Sequence, residues 1–177
     1  MPTSTHYDKL IARAQTLEPA FCAIAHPCDE PSLSAALEAR DLGLLHPILV
    51  GPEKKIRDTA AQFKLNLGDA RIVDVPHSHA AAETAVALVR NGEATLLMKG
   101  SLHTDELMHE VVARTTGLRS GRRISHVFIM EVPTYAEPLF ITDAAINIFP
   151  DLETKADIIR NCLLYTSPSP RDQRGYR

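Results

Sequence analysis

Short apolar runs alternate with amphipathic stretches along residues 20–161, and this alternation constrains the fold more than any other feature of the chain. Short apolar runs bounded by turn-forming residues are typical of buried strands, whereas the stretches between them have the apolar spacing of helices. Six strands are predicted: Phe21–His26, His46–Gly51, Ala70–Val75, Ala94–Lys99, Ser125–Val132 and Pro138–Thr142. Most are apolar on both faces, as in a sheet covered by helices. The sequence therefore predicts an α/β fold with a mostly parallel sheet flanked by helices.

Charge and hydropathy exclude two classes of partner. The formal net charge is −3, and Lys and Arg are scattered along the chain, which argues against nucleic-acid binding. No apolar run approaches the roughly 20 residues of a membrane span, and the segment from Met1 to Gln15 lacks the apolar core of a signal peptide. We therefore expect a cytoplasmic protein with no nucleic-acid partner and no membrane partner.

Metal and cysteine chemistry have little support in the sequence. Cys22, Cys28 and Cys162 are too few for a disulfide framework, and they form no CxxC pair. His77 and His79 offer only two imidazoles two residues apart, which is weak support for a metal site. We predict no metal, and we expect Cys22 and Cys28 to be small buried apolar residues rather than nucleophiles.

We divide the chain into three segments: a helical lead-in over 1–19, a domain over 20–161 and a tail over 162–177, which differs from the rest in composition. The tail is polar, contains prolines and lacks apolar periodicity. Its first part, CLLYTSPSPRD, matches the translation of a transposon-end adaptor used in DNA sequencing. We expect the tail to be a disordered artefact and the natural protein to continue beyond Asn161. The alternative is a natural disordered extension.

The segment LLMKGSLHTDELM has the richest set of polar groups at a strand end. A positive charge, hydroxyls and free N–H groups at a helix start suit a phosphate. We predict an anion site from five residues: Lys99, Gly100, Ser101, His103 and Thr104. An ordinary helix cap explains the same local pattern, because Thr104 precedes two acidic residues, Asp105 and Glu106.

Other strand ends also carry polar side chains. His26 and Asp29 follow the first strand, and His26 is either a cleft residue or a core histidine with satisfied hydrogen bonds. Ser125 and His126 open the fifth strand and face either solvent or a cleft. Asp143 and Asn147 follow the sixth strand, where Asp143 could act as a base, orient another group or cap a helix.

Three common enzyme motifs are absent from the sequence. It contains no GxGxxG, no Walker A segment and no GxSxG elbow. Hydride transfer with a dinucleotide, P-loop hydrolysis and an esterase triad therefore lack their usual motifs.

Three long segments together resemble the phosphate acetyl/butyryltransferase family: HPCDEPSLSAALEARDLGLLHPILVGPEKKI, IVDVPHSHAAAETAVALVRNGEATLLMKGSLHTDELM and RRISHVFIMEVPTYAEPLFITDAAINIFPDLETKADIIRN. The resemblance covers nearly all of residues 20–161. It implies a fold like the first domain of the isocitrate/isopropylmalate-dehydrogenase type. It also implies transfer of an acyl group between coenzyme A and phosphate. Coenzyme A is then a co-substrate, no cofactor is bound, and the full-length protein is a homodimer.

The resemblance also assigns roles to the candidate residues. Under it, the residues from Lys99 to Thr104 bind phosphate, and His26, Ser125, Asp143 and Asn147 line the cleft. The catalytic Ser-Arg pair and Asp expected of the family would lie beyond Asn161, so this chain is expected to be an N-terminal fragment, inactive alone. In acetyl-specific relatives the helix after the Lys99 turn carries an arginine. Here Met108 and His109 stand nearest, which leaves propionyl and butyryl open beside acetyl.

Two other functions are consistent with the residues. One is a non-catalytic α/β module that binds phosphate or a nucleotide. The other is a dehydrogenase of the same general fold, which would carry the dinucleotide fingerprint that this sequence lacks.

Overall fold

The computed structural model describes residues 5–132, 134–143 and 145–166. These residues form six strands and six helices. The strands are β1 Ala20–Ala25, β2 Leu45–Gly51, β3 Arg71–Asp74, β4 Leu96–Lys99, β5 Val127–Met130 and β6 Leu139–Thr142. The helices are α1 His6–Ala14, α2 Glu30–Asp41, α3 Glu53–Gln62, α4 Ser78–Arg90, α5 Thr104–Val112 and α6 Leu152–Thr166. No helix in these ranges is long and apolar enough to cross a membrane.

The chain divides into a larger unit, residues 11–119, and a smaller unit, residues 1–10 with 120–177. Helix α1 crosses the boundary between them and has no buried residue. Helix α6 continues past Asn161 to Thr166, so the first residues of the predicted tail are helical. The rest of that predicted tail, 167–177, lies outside the described residues.

The larger unit is built on a four-stranded sheet in the order β3-β2-β1-β4. All three strand pairs are parallel, and Ala23 of β1 lies opposite Ile48 of β2 and Leu97 of β4. Helices connect successive strands, as parallel pairing requires. The predicted class, a mostly parallel sheet flanked by helices, is confirmed.

Two cores, one on each face of this sheet, explain why its central strands are apolar throughout. Ala23 and Ala25 of β1 pack with Ala81, Ala82 and Val86 of α4. The alternate residues of β1, Cys22 and Ile24, pack on the other face with residues of α2 and α3: Leu33, Ala36, Ile56 and Ala60. Because successive side chains of a strand point to opposite faces, a strand between two helical layers has no polar side.

Helix α2 begins earlier than its sequence suggests. Ser32 resembles an N-cap, but the structure places Asp29 at that position, and Ser32 is buried in the first turn. The Asp29 carboxylate accepts a hydrogen bond from the Ser32 amide at 3.1 Å and another from the Ser32 hydroxyl. Ser32 is therefore not the cap: Pro31, which has no N–H, fits the first turn, and the cap lies before Glu30, at Asp29.

The smaller unit contains an antiparallel pair, β5 with β6, in which Phe128 lies opposite Ile141 and Ile129 opposite Phe140. The sequence predicts these strands for the parallel sheet. They pair with each other because the link over 131–138 is too short for a parallel crossover. All four of these side chains are exposed, although each is apolar.

Candidate functional site

The strand order reverses between β1 and β4, and we call the space outside the carboxyl ends of these two strands the crevice. From β1 the chain crosses to β2 and β3 on one side, and from β3 it returns to β4 on the other side of β1. In open α/β sheets, ligands bind where the order reverses, outside the carboxyl ends of the strands. Those ends here are His26, which follows β1, and Gly100, which follows β4.

Gly100 allows the loop after β4 to lie directly against the end of β1. Its amide donates to Ala25 O at 2.9 Å, and the next amide, of Ser101, donates to His26 O at 2.9 Å. A Cβ at Gly100 would lie 2.5 Å from Ala25 O and 2.6 Å from His26 O. The glycine is therefore required by the contact between the two strand ends.

His26 and Ser101 join the two sides of the crevice. Nδ1 of His26 lies 3.1 Å from Ser101 Oγ, and the Ser101 hydroxyl donates to His26 O at 2.8 Å. The Cys28 amide also donates to Ser101 Oγ, at 3.2 Å. His26 is half-buried and has a left-handed φ of +56°. One ring nitrogen of His26, Nδ1, thus has a hydrogen-bond partner, and the residue lies at the edge of the crevice. His26 therefore has features of both alternatives, a cleft residue and a histidine with satisfied hydrogen bonds.

Lys99 holds the loop that follows it. Its ammonium donates to Leu102 O at 2.7 Å and to Gly100 O at 3.3 Å. An ammonium has three donors, so one N–H is left for another acceptor. The side chain therefore adds positive charge beside the crevice and also fixes the shape of the loop.

The N-cap of α5 lies one residue before Thr104, the residue that the sequence pattern favours as the cap. His103 is the N-cap, and its side chain makes no capping hydrogen bond. His103 and Thr104 are both exposed, so the imidazole and the hydroxyl are accessible. Asp105 and Glu106 also lie in this turn and bring negative charge to the same helix end.

The remaining predicted residues form a cluster of their own in the smaller unit. Asp143 Oδ1 accepts from the amides of Ala145 and Ile146 at 3.3 and 3.1 Å. Its Oδ2 accepts from the Asn147 amide at 3.1 Å and from the Asn147 side chain. Burial alone would raise the pKa of Asp143, but the hydrogen bonds from Asn147, Ile146 and Ala145 together lower it. The carboxylate therefore organises a turn.

Ser125 is held by a residue that the sequence did not single out. The Asn161 side chain donates to Ser125 Oγ at 2.9 Å and to Arg123 O at 2.9 Å. No local motif marks Asn161, because its partners lie far away in sequence and α6 brings it to them. The structure thus brings together His26 with the Lys99–Thr104 loop in one unit, and Asp143 with Asn147 in the other.

The cysteines and the histidine pair have structural roles. Burial raises the pKa values of Cys22 and Cys28 to about 11 each. At neutral pH both are therefore thiols, with Cys22 buried as expected and Cys28 only half-buried. His77 is the N-cap of α4 and accepts from the Ala80 amide at 3.2 Å. Within the described part of the chain no group of three or more His, Cys, Asp and Glu side chains could hold a metal ion.

Comparison with curated proteins finds close relatives. A phosphate acetyltransferase of Rhizobium meliloti is 65% identical over 157 residues, which are 89% of this chain and 50% of that protein. A phosphate butyryltransferase of Clostridium beijerinckii is 35% identical over 161 residues, 91% of this chain and 53% of that protein. The chain therefore spans about half the length of these relatives.

Solved structures share the fold. A branched-chain phosphotransacylase from Enterococcus faecalis matches with a TM-score of 0.65 and 24% identity, over 83% of this chain and 51% of that chain. A phosphotransacetylase from Streptococcus pyogenes matches with a TM-score of 0.71 and 20% identity, over 85% and 55%. At these identities the likeness concerns the fold alone.

A protein-family model described as phosphate acetyl/butaryl transferase matches residues 76–164. The matched segment includes β4, the Lys99–Thr104 loop and the Asp143 turn. The family expected from the three sequence segments is therefore confirmed, and the chain belongs to the phosphate acetyl/butyryltransferase family.

Proposed function

We propose that this chain forms part of an enzyme that transfers a short acyl group between coenzyme A and phosphate. The observation that carries the proposal is the 65% identity to a phosphate acetyltransferase over a segment that includes the whole β1–β4 crevice. In this reaction a phosphate oxygen attacks the thioester carbonyl, the carbon–sulfur bond breaks, and the products are an acyl phosphate and the free thiol. Coenzyme A is then a co-substrate rather than a bound cofactor.

The crevice supplies the phosphate side of this reaction. Lys99 contributes its remaining N–H and its charge, and the exposed Thr104 hydroxyl and His103 imidazole contribute further hydrogen bonds. Gly100 and Ser101 hold the loop against β1, so that these groups start from a fixed backbone. The negative charges of Asp105 and Glu106 repel a phosphate dianion at the same helix end, so the positive charge of Lys99 is needed to offset them.

The other half of the chemistry needs groups that aim donors at the carbonyl oxygen and ionise the thiol. The resemblance assigns phosphate binding and activation of the thiol to a Ser-Arg pair and an Asp, which are expected beyond Asn161. Ser125, Asp143 and Asn147 are proposed as further residues that contact the substrates. We propose a homodimer in the cytoplasm as the working form of the full-length enzyme.

A chimera tests the proposal. In the Rhizobium meliloti relative, the matched segment is replaced by the corresponding residues of this chain, and release of the coenzyme A thiol is followed with acetyl-, propionyl- and butyryl-CoA. We expect release that depends on phosphate, with one acyl length preferred. The unaltered relative is the positive control. A folded chimera that releases no thiol with any of the three substrates would contradict the proposal.

Thr104→Val in the chimera tests the phosphate side without changing the loop, because Val has nearly the same shape and the hydroxyl is exposed. Hydrogen bonds to charged groups contribute about 1.5–3 kcal/mol, so the KM for phosphate should rise about tenfold or more. Thr115→Val, at an exposed threonine after α5, is the matched control and should leave KM unchanged.

A non-catalytic binding module is the second candidate, because the crevice lies entirely within a unit that has its own two cores. Phosphate binding by the chain, together with an inactive chimera, would favour this alternative.

A further inference from the structure

The hydroxyl of Ser101 fixes the direction of every hydrogen bond around it. A serine hydroxyl has one proton, and it is donated to His26 O at 2.8 Å. The oxygen is therefore an acceptor toward its other two neighbours, the Cys28 amide at 3.2 Å and Nδ1 of His26 at 3.1 Å. Nδ1 must then be the donor in its contact with Ser101.

A second contact at the same nitrogen leads to the same tautomer. Nδ1 of His26 also lies 3.3 Å from the Ser101 carbonyl oxygen, which can only accept. Both polar neighbours of Nδ1 are thus acceptors toward it, so a neutral His26 carries its proton on Nδ1. The lone pair is consequently on Nε2, which has no hydrogen-bond partner among the described residues and is not a buried atom.

The backbone keeps this imidazole at the edge of the crevice. The His26 amide donates to Val50 O at 2.7 Å, and the next residue, Pro27, is fully buried. His26 O accepts from both the Ser101 amide and the Ser101 hydroxyl. With its main chain and Nδ1 both held, the ring presents one free group, an acceptor at Nε2, at the switch between β1 and β4.

An acceptor in an anion site is unusual, because phosphate and sulfate oxygens are themselves acceptors. Resting on the proposed function, we propose that Nε2 of His26 accepts a hydrogen bond from the protonated oxygen of phosphate, so that the crevice selects an oxyanion that carries a proton. Sulfate has nearly the same size and, in mildly alkaline solution, the same charge, but no proton to donate. Its oxygen would face the lone pair of Nε2, and both groups would lose hydrogen bonds to water without replacing them.

Nitrogen NMR on the full 177-residue chain tests the tautomer and the ligand together. The spectra are recorded in mildly alkaline solution. We expect His26 to show a protonated Nδ1 and an unprotonated Nε2, and added inorganic phosphate to shift the Nε2 resonance more than sulfate at the same ionic strength. A proton on Nε2 in the free chain, or equal shifts with the two anions, would overturn the inference.

His26→Asn removes Nε2 and keeps the rest of the arrangement. Its amide nitrogen can still donate to Ser101, and asparagine tolerates a left-handed φ better than most residues. The Kd for phosphate should rise about tenfold or more, and the Kd for sulfate should not rise. His79→Asn, at an exposed histidine of α4, is the matched control and should change neither.

Ser101→Ala is the second variant, in case His26→Asn does not fold. Without the hydroxyl, Nδ1 keeps only the contact to the Ser101 carbonyl oxygen at 3.3 Å, so the preference for phosphate should change only as far as the tautomer changes. A preference for phosphate that persists when Nδ1 loses its proton, or that disappears when Nδ1 keeps it, would contradict the inference.

The two proposals fail in different ways. Binding is measured without any acyl-CoA. If the chain prefers phosphate to sulfate and the chimera is inactive, this inference stands and the proposed function is overturned. If the chimera is active and the chain responds equally to phosphate and sulfate, the proposed function stands and this inference is overturned. A chain that binds neither anion also overturns this inference.

Discussion

Gly100 shows how one residue sets the geometry of the crevice. The positions that a Cβ would occupy at Gly100 overlap backbone atoms of β1, which cannot rotate away as a side chain can. Gly100→Ala must therefore separate the ends of β1 and β4. We expect a loss of about 1–3 kcal/mol in the free energy of unfolding, measured by urea denaturation of the chain.

Gly51→Ala is the matched control, at the end of the neighbouring strand β2. Its Cβ would meet only ordinary contacts at 3.4 Å or more, so we expect a much smaller loss. Equal effects of the two substitutions would show that the close approach at Gly100 does not determine stability.

The charge of the Asp143 carboxylate should make the stability of its turn depend on pH. Burial acts to raise its pKa, but the hydrogen bonds from Asn147, Ile146 and Ala145 outweigh this and lower it. A carboxyl with a lowered pKa in the folded state stabilises above its unfolded pKa, about 3.9, and that contribution disappears as the pH falls through the folded value. The turn over residues 145–147 should therefore loosen below about pH 4.

Hydrogen exchange of the amides of residues 145–147, expressed as protection factors, measures this effect. In the native chain, protection of these amides should fall on acidification. In Asp143→Asn, protection should be low at every pH, because the side-chain amide of asparagine places N–H groups against the donors that the carboxylate accepts from. A pH-independent protection in the native chain would contradict the assignment.

At the scale of elements, α2 depends on a cap that comes from outside the helix. Asp29 satisfies the Ser32 amide and lies at the positive end of the helix. Asp29→Ala should lower the free energy of unfolding by about 1 kcal/mol, because caps contribute about 0.5–2 kcal/mol. Thermal unfolding followed by circular dichroism measures it.

Asp58→Ala is the control for the loss of a carboxylate. Asp58 pairs with Lys54 on the exposed face of α3, and both side chains are largely in solvent. Exposed pairs contribute little, so the change should be within about 0.5 kcal/mol. If both substitutions cost the same, the cap has no special role.

At the scale of the whole molecule, apolar surface is concentrated in the smaller unit. Phe149 is 97% exposed, Leu152 86% and Ile148 81%. Exposed apolar groups of this kind drive association. We expect the purified chain to self-associate with increasing concentration in light scattering, and Phe149→Ser with Leu152→Ser to reduce that association. Phe63→Ser, at a less exposed phenylalanine that follows α3 in the larger unit, should have a smaller effect. A monomer at all concentrations would contradict this prediction.

Much of the larger unit follows from local sequence. A strand buried on both faces needs apolar residues at every position, so β1 and β2 are visible as continuous apolar runs, and the parallel sheet follows from the helices between them. The same reasoning identified β5 and β6 as strands but not their antiparallel pairing, because an apolar run shows that a strand forms and not which strand pairs with it.

The sequence by itself determined the fold class, the family and the polar residues at the strand ends. Only the tertiary structure decided what those residues do, because their partners lie far along the chain. His26 and Ser101 are 75 residues apart, and the parallel pairing of β1 with β4 makes them neighbours. Asp143 accepts hydrogen bonds from the amides of Ile146 and Asn147, which the sequence alone did not indicate. Local patterns record which groups are present, whereas a hydrogen bond depends on distance and direction, which the packing of distant elements sets.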